Sequence, residues 1–158
     1  MENSKKNLKI MSFVIIALAA LTFINITLEL YFGELNNAAI PEGAPENILS
    51  ITKAILLSVS LFLLLPQVYL GEKGLRVAKN PDSSKGHIVW AAILMVFAAI
   101  GLIDPIVALI NQGEKFENFS ALLSILTEAA VYFEYLKYAR EVRKQGLAEK
   151  EAPVFNAE

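Results

Sequence analysis

The sequence predicts an all-α fold: a transmembrane four-helix bundle with both termini in the cytoplasm. Three observations predict it. Apolar residues make up 55 % of the 158-residue chain and charged ones 19 %, and the mean hydropathy is +0.49. The charges gather in short blocks between long apolar runs, which is the pattern of a membrane protein. Four of those runs reach about 20 residues or more, enough at about 1.5 Å per residue to cross a hydrocarbon core of about 30 Å. Finally, twelve of the fourteen Lys and Arg fall on one side of a four-span layout, and basic residues accumulate in cytoplasmic loops.

The first span runs from about residue 8 to 32. Its start, "MENSKKNLKIMSFVIIALAA", has the lysines, the apolar stretch and the Ala17-Leu18-Ala19 site of a secretory signal. The apolar character continues to Phe32, longer than a signal core, so an uncleaved span is expected. The outer connection "GELNNAAIPEGAPEN" leads to the second span, 48–70. The loop "GEKGLRVAKNPDSSKGH" follows, with a turn at "NPDSS" and Asp82 or Ser83 as cap of the third span, 87–110. Gly71 and Gly74 lack the strand–turn–helix setting of a phosphate loop. The fourth span, 119–138, carries Glu128 and Glu134. Its support is the basic tail of Lys137, Arg140, Arg143, Lys144 and Lys150, which a three-span chain would export. Residues 1–143 thus form one membrane domain, and 144–158 a polar, flexible cytoplasmic tail.

That layout, with "GEKGLRVAKNP" closing span two and a short basic hairpin leading into span three, resembles small four-span bacterial membrane proteins of unassigned function. The resemblance covers the layout and this loop. Arg76, Ala78 and Asn80 match part of the Arg-Ala-His-x-Asn motif of the membrane glutathione transferases. Lys79 stands where that motif has His, so the activity is not carried over.

Within lipid, polar side chains face the bundle interior or a cavity, and their helical phase marks the inward face. Thr22, Asn25 and Glu29 share a face of span one, and Lys53, Ser60 and Gln67 share one of span two. Ser120, Ser124, Thr127, Glu128 and Tyr135 share a side of span four. Trp90, Phe97, Gly101 and Asp104 align in span three. Counted from the outer ends, Glu29, Lys53, Asp104 and Glu128 lie roughly 5, 8, 9 and 15 Å deep. Lys53 and Asp104 match in depth and oppose in charge, which predicts a pair across the bundle. Pro105 withdraws the N–H that would bond the Gly101 carbonyl and Gly101 gives its ring room, so a kink is expected there. Gln67, Tyr69, Trp90, His87, Glu134, Tyr135 and Tyr138 are expected at the cytoplasmic boundary as an interfacial belt, with Glu134 reaching toward Lys137.

The chain has no Cys and a single His, His87. Thiolate chemistry, disulfides and a multi-His metal site are therefore excluded. With no HExxH and no Ser/His pair at a common depth, the sequence predicts neither an enzyme nor a cofactor nor a metal. It predicts a binding or accessory module with a polar cavity in the outer half of the bundle. That cavity holds a small or lipid-like ligand, or the bundle packs with a partner membrane protein or a second copy; membrane lipids surround it and no nucleic acid is expected. The candidates for binding or coupling are Glu29, Lys53, Asp104, Glu128, Asn25 and Ser60. The alternative is a small transporter or channel subunit using the intramembrane carboxylates and lysine as its coupling site. Packing alone is a third account of these polar residues, since they also join helices by hydrogen bonds.

Overall fold

The computed structural model describes residues 2–33, 45, 47–81, 85–112 and 116–151, and these are all helix apart from short connections. The helices are α1 (Glu2–Phe32), α2 (Ile48–Lys79), α3 (Gly86–Gly101), α4 (Ile103–Gln112) and α5 (Phe116–Glu151). Four stretches are long and apolar enough to cross a membrane: Glu2–Phe32, Ile48–Lys79, Gly86–Asn111 and Phe119–Glu149. This is the pattern of a multi-pass membrane protein, with α3 and α4 sharing one span. The expected cap at Asp82 or Ser83 lies outside the described residues.

α1 packs between α2 and α5, and α3 packs between α5 and α2, so the four spans close a ring. Neighbours run antiparallel. Ser4 Oγ near the start of α1 donates to Glu141 Oε2 of α5 at 2.8 Å, which brings the first and last helices together at one end. Lys5, Lys6, Lys9, Lys73, Arg76, Lys79, Lys85, Lys137, Arg140, Arg143 and Lys144 share that end, here termed the basic end.

Three helices are longer there than the apolar runs imply. α1 begins at Glu2, α2 continues to Lys79 and α5 to Glu151. The tail expected to be flexible from residue 144 is therefore helical through Glu151. The physical reason lies in "REVRKQGLAEK", which is rich in strong helix formers and docks through Val142 and Gly146. Val142 is fully buried. A Cβ on Gly146 would stand 2.9 Å from Pro81 Cβ, so only glycine allows the helix this close to the connection after α2.

The core is concentrated at the basic end. Leu8, Ser12 and Ile15 of α1, Leu70 and Val77 of α2, His87 and Ala91 of α3, and Tyr135, Ala139 and Val142 of α5 are all buried. Their spacings of three, four and seven give each helix one inward stripe. Gly71 and Gly74 let α2 approach α1, since side chains there would strike Ile16 and Ser12. This is small-residue packing of the kind that brings membrane helices into contact. Tyr135 Oη donates to the Leu70 carbonyl at 3.1 Å and satisfies its own buried hydroxyl. His87 meets the Tyr135 ring edge-to-face, with centroids 6.3 Å apart.

Away from that end burial thins, and large apolar side chains turn outward: Phe32, Ile110 and Phe62 are 81, 77 and 70 % exposed. In water such a surface would be costly. On helices long and apolar enough to cross a membrane, such a surface suits contact with lipid.

Candidate functional site

The looser packing away from the basic end leaves a cavity of about 610 Å³ between α1, α2 and α5. Its size falls in the common range for ligand pockets, about 300–1,000 Å³. α1 contributes Thr22 and Asn25, α2 Ser60 and Gln67, and α5 Ser124 and Glu128; Leu18, Leu21, Ile26, Leu63 and Leu64 complete the lining. The lining thus interleaves polar and apolar side chains on α1 and α2, and Leu21 and Leu63 are each more than 60 % exposed. Two further grooves differ in kind. One is lined by Phe62, Leu65, Pro66, Tyr69 and Trp90, and the other by Met95, Ala99, Ala129, Ala130 and Phe133 with Glu134. Both are almost wholly apolar.

Glu128 organises the polar wall. Its Oε1 accepts from Gln67 Nε2 at 3.0 Å and from Tyr132 Oη at 3.1 Å. Tyr132 sits one turn further along α5, so helical geometry delivers it to the carboxylate. Gln67 reaches across from α2. With its Nε2 aimed at the carboxylate, Gln67 Oε1 is left buried without a hydrogen bond among the described residues. Ser60 gives its hydroxyl proton to the Leu56 carbonyl at 2.8 Å. Thr27, Thr52, Ser58 and Thr127 bond their own helices in the same way, a local arrangement that satisfies a hydroxyl without a partner helix.

Of the candidates from sequence, Asn25, Ser60 and Glu128 are therefore brought together at one cavity. Glu29, Lys53 and Asp104 are not among its lining residues. Glu29 is exposed at the far end of α1. The expected Lys53–Asp104 pair is not seen: no ion pair joins the two, and Lys53 Nζ lies 5.5 Å from the centroid of the Tyr31 ring. The reason is lateral placement. α4 packs on α5 and α3, with Asp104 exposed, while Lys53 is on α2 facing α1. Matched depth does not place two residues on facing sides of a ring.

The third span is interrupted at Leu102, between Gly101 and Ile103, with Pro105 buried in the first turn of α4. Gly101 is not needed to seat the proline ring: the atoms nearest a Cβ there belong to Ile125, at 3.9 and 4.0 Å. Trp90 and Phe97 point outward, because the inward phase of α3 belongs to His87, Ala91 and Ala98. The belt is likewise only partly formed. Tyr69 and Trp90 are exposed as anchors should be, and Glu134 pairs with Lys137 at 3.5 Å. His87 and Tyr135 are core residues, and Gln67 belongs to the cavity.

Tyr132 and the role of Gln67 escaped the sequence reading. The signal for Tyr132 was its place four residues after Glu128. Gln67 was in the right stripe, but its reach to Glu128 across the bundle was not read. Among the described residues no group of three or more His, Asp or Glu is arranged to hold a metal ion. Comparison with protein-family models, with curated proteins and with solved structures finds no match.

Proposed function

We propose that this protein is an integral membrane binding module that holds a small amphiphilic ligand in the cavity between α1, α2 and α5, with both termini cytoplasmic. One observation carries the reading. A carboxylate fixed by Gln67 and Tyr132 stands in a cavity that leucine and isoleucine side chains also line. Such a site offers a polar head a partner and an apolar tail a greasy wall. The orientation rests on the clustering of basic residues at the end that carries both termini.

The transporter reading has less support. The lining residues stop short of the basic end, where Ser12, Gly71, Gly74 and Tyr135 are in close contact. Passage across would require that seam to part.

The natural absence of cysteine allows a direct test. Thr22→Cys places one thiol in the cavity wall, and Val89→Cys places a control on the outer face of α3. In nanodiscs of choline-headgroup lipid, an added amphiphile such as decanol or decylamine should slow alkylation of Thr22→Cys by N-ethylmaleimide and leave the control unchanged. Equal rates with and without every amphiphile would reject the binding reading.

A further inference from the structure

The charge on the cavity lining is one-sided, and it selects a head group. Thr22, Asn25 and Ser124 bring neutral hydroxyl and amide groups to the lining, each able to donate or accept. The Gln67 Nε2 and the Tyr132 hydroxyl both point at Glu128 Oε1, and the Ser60 hydroxyl proton is given to Leu56. The second oxygen of Glu128 takes no hydrogen bond among the described residues, and Ser60 keeps its lone pairs. Gln67 Oε1 is also buried without a donor among the described residues. Neither Lys nor Arg is among the described lining residues, while one carboxylate is. Lys53, the nearest candidate by sequence, faces Tyr31 instead.

We infer that the cavity takes a cationic amphiphile whose head is an N–H-bearing ammonium, a protonated alkylamine in the simplest case. This rests on the binding reading above and narrows it. A carboxylate is stabilised by an opposite charge far more than by a neutral hydroxyl, and a hydrogen bond to an ionised acceptor is about twice as strong as a neutral one. An anionic head would meet Glu128 with no compensating cation. A quaternary ammonium carries charge but no N–H, and proteins hold it against aromatic faces. The described lining residues include no aromatic side chain. The wall therefore suits a head that donates. Tail recognition falls to Leu18, Leu21, Leu63 and Leu64, which ask only for an apolar chain.

An ammonium of this kind can arrive as a free amine or as the head group of an ethanolamine lipid. The two sources are separable with the Thr22→Cys protein. In choline-lipid nanodiscs, decylamine, decanol and decyltrimethylammonium are titrated as protectors against alkylation. A parallel set of discs contains ethanolamine lipid without added amine. Decylamine should protect at concentrations about tenfold or more below the other two, a difference of about 1.4 kcal/mol. Glu128→Gln should bring the three within about twofold of one another while decanol protection persists. Protection in the ethanolamine discs alone would identify the lipid as the source of the same head group. Equal protection by all three in the parent chain would overturn the head-group assignment and leave the binding module standing. Protection by none, in ethanolamine discs as well, would reject the binding module itself. If Thr22→Cys does not fold, Ser124→Cys on α5 reports on the same cavity.

Discussion

At the residue scale, Glu128 and its partners explain why a charge tolerates the interior of the bundle. A lone charge at mid-membrane costs at least about 2.5–3.5 kcal/mol on insertion scales. Gln67 and Tyr132 together offset part of that by donating to one oxygen. Tyr132→Phe removes one of those donors and should lower stability by about 0.5–1.5 kcal/mol, read as unfolding in detergent; a change beyond about 3 kcal/mol would mean that the hydroxyl does more than this. Lys53 faces Tyr31, and Asp104 is exposed on α4. The stability effects of Lys53→Met and Asp104→Leu should add to within about 0.5 kcal/mol in the double variant, whereas a paired geometry would give a clear excess. Sequence made Asn25, Ser60 and Glu128 legible because polar residues inside apolar runs reveal their inward phase. It could not show which residues face each other around a ring. That is why Lys53 and Asp104 looked like partners, and why the contact of Gln67 with Glu128 was not foreseen.

At the element scale, the helices divide the labour between a packed end and a loose one. α1 and α2 are locked by Gly71 and Gly74, whose missing side chains admit Ser12, Ile16 and the Tyr135 ring. A Cβ at Gly74 would lie 2.7 Å from Tyr135, so Gly74→Ala should cost about 1–3 kcal/mol through overpacking. Gly101 meets nothing closer than 3.9 Å, and Gly101→Ala should be neutral or stabilising by up to about 1 kcal/mol. Parallel unfolding curves check the contrast, and a reversed order would show that the seam lies elsewhere. The four apolar stretches were legible because length and hydropathy act locally. The extensions to Lys79 and Glu151 were not, because they are held by contacts beyond the apolar runs, such as Gly146 on Pro81.

At the scale of the whole molecule, the account is a ring of four spans, tightly packed where the basic residues gather and opened by a cavity beyond that core. The proposed orientation is checked with single cysteines and an impermeant maleimide on intact cells. Asn36→Cys, in the connection after α1, should react from outside and Lys144→Cys only after permeabilisation; the opposite pattern would invert the topology. The packed end holds most of the buried core, and the cavity gathers polar residues from three helices. The central claim, that this cavity is a ligand site, is tested most directly by locating a bound ligand. A photoreactive alkylamine, cross-linked to the full-length protein in nanodiscs and mapped by peptide mass spectrometry, should label residues from Leu18 to Ile26 of α1, from Ser60 to Gln67 of α2 and from Ser124 to Glu128 of α5, and excess decylamine should abolish that labelling. Labelling spread over outward residues such as Phe13, Val96 and Ile110, undiminished by decylamine, would contradict it.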